Sequence, residues 1–102
     1  MIRGTTPRLD FKVPFDPSTA KRIWITFSQG GKEVFTVEKK NLTLDGQTIS
    51  VTLTQKQTLS LVSAANVDIQ LRVSFSNGDT DEALASEIIT TSVQRILKDG
   101  EI

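Results

Sequence analysis

Residues 67–75 read Val-Asp-Ile-Gln-Leu-Arg-Val-Ser-Phe, and no other stretch constrains the fold as much. Val67, Ile69, Leu71, Val73 and Phe75 alternate with Asp68, Gln70, Arg72 and Ser74, the period of two that marks a strand with one buried face and one wet face. Asn77-Gly78 follows, a pair that favours a tight type I′ reversal because both central residues take positive φ. The spacing therefore predicts a hairpin at the centre of an all-β domain, with residues 83–93 returning as the partner strand.

A chain of 102 residues is expected to form one domain with a single core, too small for a catalytic barrel or a doubly wound sheet with a cofactor crevice. Twelve Lys and Arg balance twelve Asp and Glu, so the long-range field is too weak to gather polyanions or anionic lipid. Neither nucleic acid nor a membrane is expected as a partner. Residues 1–50 carry eight bases and five acids, residues 51–102 four and seven, but strands from both halves interleave in a sandwich and need not separate this charge in space. Cysteine is absent, which leaves hydrophobic burial as the main source of stability. No apolar run approaches the ~20 residues that span a bilayer, and the opening Met-Ile-Arg-Gly-Thr-Thr-Pro lacks the apolar core of a secretory signal. Synthesis in the cytoplasm is expected.

The remaining elements follow from alternation and turn chemistry. After an arm over residues 1–7, Leu9, Phe11 and Val13 outline a first strand that Pro14 stops. Ile23, Ile25 and Phe27 alternate with Trp24, Thr26 and Ser28 in a second, and Gly30-Gly31 turns the chain into a third over residues 32–39. There Phe35 and Val37 share one face, Val34 and Thr36 the other. Leu42 and Leu44 mark a short edge strand before Asp45-Gly46, and Ile49, Val51 and Leu53 the strand after it. Thr54-Gln55-Lys56-Gln57 matches a capping box and predicts a helix of about two turns, with Leu59 and Val62 on one face, crossing between sheets. From Leu84 to Leu97 the alternation breaks, which predicts either a bulge or a strand buried on both faces, and the tail over residues 98–102 is expected to be loose. The sum is a β-sandwich of immunoglobulin-like type with six to seven strands and one crossover helix, without the cysteine and tryptophan framework of antibody domains. A small Greek-key barrel is the alternative.

Histidine, cysteine and tyrosine are all absent, which removes the commonest general base, the thiolate nucleophile, the imidazole ligand and the phenolic acid together. No enzyme can be argued, and no catalytic, cofactor-binding or metal-binding residue is assigned. Asp79-Thr80-Asp81-Glu82 offers alternating oxygen donors but lacks the spacing of a calcium loop, so a solvated acidic loop is expected. Lys39-Lys40 reads as a solvated strand end that discourages edge pairing. Trp24 lies on the face opposite Ile23, Ile25 and Phe27, where it either anchors a partner or is covered by a neighbouring segment. The interface candidates are Trp24, the edge at Leu42 and Leu44, and the apolar residues Ile96, Leu97 and Ile102 near the C-terminus.

Several runs read together carry a resemblance: Arg3-Gly4-Thr5-Thr6-Pro7, Val13-Pro14-Phe15-Asp16, the hairpin from Ile25 to Phe35, Val51-Thr52-Leu53-Thr54-Gln55, Ile69-Gln70-Leu71-Arg72-Val73, Ala83-Leu84-Ala85-Ser86 and Arg95-Ile96-Leu97-Lys98-Asp99-Gly100. The chain resembles, over nearly its whole length, a family of small prophage-encoded proteins of Firmicutes, and its strand plan is similar to that of the N-terminal domain of phage baseplate upper proteins. The acidic run 79–82 is longer than the short turn expected there. The resemblance implies a non-enzymatic phage structural or tail-assembly module that contacts phage structural subunits or itself, as a homo-oligomer, and is carried into the virion. Two readings stand beside it: a carbohydrate-binding or adhesion module with Trp24 as stacking platform, and a small prophage-encoded regulator.

Overall fold

The computed structural model describes the backbone of residues 1–102 and every side chain except that of Asn77. Among the described residues the strands are β1 (Arg8–Lys12), β2 (Arg22–Gln29), β3 (Lys32–Glu38), β4 (Thr43–Asp45), β5 (Thr48–Thr52), β6 (Asn66–Asn77), β7 (Thr80–Ala85) and β8 (Ile89–Ser92), with one α-helix, α1 (Gln55–Leu59), and short 3-10 turns at Pro17–Thr19 and Lys39–Asn41. All pairings between strands are antiparallel. One sheet has the order β1-β5-β4 and the other β3-β2-β6-β7, with β8 also on β6. The two share no strand, and buried side chains from both, Ile49, Val51 and Leu53 on one side and Ile23, Ile25, Phe27 and Val37 on the other, meet in one core. The arrangement is sandwich-like rather than a closed barrel.

The alternation in β6 does what its spacing predicts. Val67, Ile69, Leu71 and Val73 are buried, and Phe75, nearer the strand's end, is half-buried with its ring edge-on to Phe15 at 5.1 Å. One edge of β6 pairs with β2 from Arg22↔Ser74 to Ser28↔Asp68. The other carries β7 and β8 end to end: Ala85 lies opposite Arg72 and Ile89 opposite Ile69, so four steps along the outer chain match three along β6. That extra residue is a bulge, one of the two readings of the broken alternation. A strand buried on both faces is not what forms, since β7 and β8 are largely exposed, and the bulge sets even-numbered Leu84 and odd-numbered Ile89 on the same, core-facing side. A second bulge pairs Phe27 with Phe35 but Ser28 with Glu33, leaving Val34 as the extra residue. Val34 and Phe35 consequently both pack against the core, with Phe35 stacked on Phe27 at 4.6 Å.

Several expectations change. Asn77 pairs with Thr80, so the hairpin loop is Gly78-Asp79, and Gly78 at φ +69° is its first central residue, the type II′ pattern rather than I′. A loop centred on Asn77-Gly78 would bring Glu82 opposite Val73, whereas the observed register puts Leu84 there and moves Glu82 along the same face to the sheet's open end, beside half-buried Phe75. β7 thus starts at Thr80, and the acidic run is mostly strand rather than loop. The helix keeps its capping box, Gln57 N donating to Thr54 Oγ1 at 3.1 Å and Thr54 N to Gln57 Oε1 at 2.9 Å, but ends at Leu59 after little more than one turn. Thr58 and Leu61 are buried in place of the expected Leu59 and Val62 pair. α1 does carry the chain from β5 in one sheet to β6 in the other.

The chain ends are fastened. The Arg3 guanidinium donates to Leu61 O at 2.7 Å, Leu59 O at 2.9 Å and Asp99 Oδ1 at 2.8 Å, capping one carbonyl at the helix end and one just past it and holding the C-terminal segment. Gln55 both accepts from Ile102 N at 2.7 Å and donates to Ile102 O at 2.9 Å. The segment expected to be loose is therefore tied at two points. No described helix is long and apolar enough to cross a membrane.

Candidate functional site

Trp24 sits on the outer face of the larger sheet, 36% exposed, flanked in register by Glu38 of β3 and Arg72 of β6. Paired residues in neighbouring strands share a face, so alternation alone brings these three together. The Arg72 guanidinium lies 5.7 Å from the centre of the indole, a cation–π arrangement. A shallow hollow of about 240 Å³ beside it is edged by Arg22, Ser74 and Ala83, with Lys21 Nζ bound to Asp81 Oδ2 at 3.0 Å on its rim. Lys39, which borders a neighbouring hollow with Trp24 and Glu38, donates to Ala20 O at 2.6 Å.

The other interface candidates lie elsewhere. Leu44 in β4 and Leu42 before it are half-buried against the core, so the β4 edge offers backbone rather than an apolar strip. Ile96 is half-buried, and its Cδ1 would lie 3.0 Å from a Cβ built on Gly4, which takes φ +73°. Leu97 and Ile102 are fully exposed, though Arg3 holds the Asp99 side chain between them and Gln55 the backbone of Ile102. Trp24, the β4 edge and the tail are three separate places.

A fourth surface was hidden by the bulge. Between β1 with the segment after it and the line of β7 and β8 runs an open cleft of about 620 Å³. Phe11, Val13 and Phe15 form one wall, Leu84 and Ile89 the other, and Leu71 and Val73 the floor. Leu84 is 46% and Ile89 50% exposed although both point to the core side of their sheet, because β1 ends its own sheet without reaching across. On the other face of β1, Ser50 Oγ donates to Asp10 Oδ1 at 2.6 Å and Arg8 Nε donates to the same oxygen at 3.0 Å. These bonds hold the Asp10 carboxyl below its ordinary pKa. Asp16 is likewise lowered, by the hydroxyl and backbone N–H of Ser18.

The acidic run does not converge. Asp81 and Glu82 are consecutive in β7 and point to opposite faces, and Asp81 is engaged by Lys21. Among the described residues no three acidic side chains are placed to share a cation. The described surfaces present an aromatic stacked with a cation, two sheet edges, and an apolar cleft between them. No protein-family model, no curated protein and no solved structure matches this chain.

Proposed function

We infer that the chain is a non-enzymatic assembly module of phage-tail type, built on an immunoglobulin-like fold and working through contacts with other proteins. The observation that carries the reading is the cleft, where two unpaired sheet edges flank apolar side chains that the chain's own strands leave half uncovered. Edges and exposed apolar walls are how sheet proteins join neighbours. Strand order supports the finer fold assignment: with β1 to β7 taken as strands B, C, C′, D, E, F and G, one sheet becomes D-E-B and the other C′-C-F-G. These are immunoglobulin pairings with strand A absent beside B, and α1 falls at the E to F crossing. The placement in a phage particle rests on the sequence runs that resemble prophage-encoded proteins.

A sugar-stacking role for Trp24 is the weaker reading, since Arg72 lies over the indole and a sugar ring would have to displace it. The test of the assembly role is induction of a lysogen carrying the gene and mass spectrometry of purified particles and tail intermediates. The chain is expected in one of them at stoichiometric amount; its absence from both would overturn the reading.

A further inference from the structure

We propose that the cleft is a strand-binding groove whose occupant is an extended segment of a partner protein, apolar residues alternating with lysine or arginine, added along the free edge of β7. The far end of β8 is taken by the chain's own N-terminus, whose ammonium donates to Ser92 O at 2.8 Å. The proposal rests on the assembly reading above and specifies the partner's segment. Backbone polarity comes first. Leu53 N donates to Pro7 O and Val13 N to Gln47 O, both at 2.9 Å, so odd-numbered residues along β1 bond toward β5 while Arg8, Asp10 and Lys12 turn N–H and C=O groups to the open edge. Ser86 N donates to Leu71 O at 2.8 Å, so even-numbered β7 residues bond toward β6 and the backbone groups of Asp81, Ala83 and Ala85 face outward. A strand laid on that edge gains main-chain hydrogen bonds, and every second side chain of it enters the cleft between Leu84 and Ile89 on one side and Phe11 and Val13 on the other.

Charge selects the occupant. Residues 78–94 carry four acids, Asp79, Asp81, Glu82 and Glu87, and no lysine or arginine. Two copies of this edge side by side would set carboxylates against carboxylates, a device by which sheet edges resist self-pairing. A net-basic segment meets this acidic edge with opposite charge: its outward side chains pass Asp81, which already holds Lys21, while Glu82 and Glu87 stand on the cleft side. The edge therefore disfavours a second copy and favours a basic strand.

The probe is an acetylated, amidated octapeptide of alternating lysine and valine, fluorescently labelled and titrated against the full chain by anisotropy. Its comparators are the same peptide with glutamate for lysine, and one of equal composition with its valines in a block. The alternating basic peptide is expected to bind at least tenfold more tightly than either. Ala83→Pro removes one outward N–H from an edge strand, where proline is tolerated, and is expected to weaken binding at least tenfold while the unfolding midpoint holds. Leu84→Lys, a change at a half-exposed wall position, gives the same readout should Ala83→Pro fail to fold. Absence of binding at millimolar peptide, equal binding of a comparator, or indifference to both substitutions would overturn the proposal. So would a concentration-dependent dimer abolished by Leu84→Lys, which would make a second copy the occupant. Any of these results leaves the assembly reading to the particle measurement, which involves no peptide.

Discussion

Ile25 and Leu71 face each other across the β2 and β6 pairing, one 0% and the other 6% exposed, and truncating each to alanine should cost different amounts. Both changes remove three carbons, a transfer loss of about 2.4 kcal/mol at roughly 0.8 kcal/mol per carbon. What separates them is the cavity left behind, since leucine to alanine changes range from about 2.7 to about 5 kcal/mol according to how far the site relaxes. Leu71 forms part of the cleft floor, so neighbouring side chains and water can move in, and Leu71→Ala is expected near the lower end, about 3 kcal/mol. Ile25 is sealed within the core, and Ile25→Ala is expected at about 4 kcal/mol. Either loss is large against the ~5 to 15 kcal/mol that holds a domain together. Urea unfolding of both variants, with unchanged denaturant slope, measures the difference. Equal losses, or a larger loss at Leu71, would show that the cleft does not open the core at that point.

Three further outcomes are expected. Thr58 is buried and its hydroxyl donates to Thr5 O at 2.8 Å, so Thr58→Val, similar in shape but without the donor, should cost about 1 to 3 kcal/mol by thermal or urea unfolding. Trp24 is the single tryptophan, so Arg72→Ala should raise acrylamide quenching of its emission and cost about 0.5 to 1 kcal/mol, the worth of an exposed cation–π contact. Asp10 has a native pKa below its ordinary 3.8, through its bonds to Ser50 and then Arg8, so the stability it contributes is fully present above that ordinary value and is lost as pH falls through the lower native one. The stability difference between wild type and Asp10→Asn should accordingly be flat from neutral pH down to about 4 and shrink below it, as read from denaturant midpoints along a pH series.

Much of the fold was legible because it rests on local alternation. The odd face of β6, the outward aim of Trp24 and the capping box of Thr54 and Gln57 each depend on residues a few positions apart, where period and cap chemistry act directly. The hairpin loop was displaced by one residue because register is set by burial along the whole pairing, and bringing Leu84 to Val73 outweighed the preference of Asn-Gly for its own turn. Arg3 gave no local sign of its role, since its partners Leu59, Leu61 and Asp99 are more than fifty residues away. The cleft was hidden for a related reason. Leu84 and Ile89 have opposite parity, and only the extra residue between them, fixed by pairing with β6, turns both to one side. The break in alternation was the available signal, and it pointed equally to a bulge or to a strand buried on both faces, without saying which wall a bulge would build.

The central claim is that β1 and β7 present unpaired edges on either side of the cleft, and amide hydrogen exchange on the isolated chain tests it residue by residue. Glu82 and Leu84, whose amides face β6, should exchange slowly, while Asp81, Ala83 and Ala85 exchange close to unprotected rates. In β1 the amides of Leu9 and Phe11 should be slow, and those of Arg8, Asp10 and Lys12 fast. Alternating protection along both strands is the predicted result; uniform protection along either one would mean that its edge is already paired and would contradict the account.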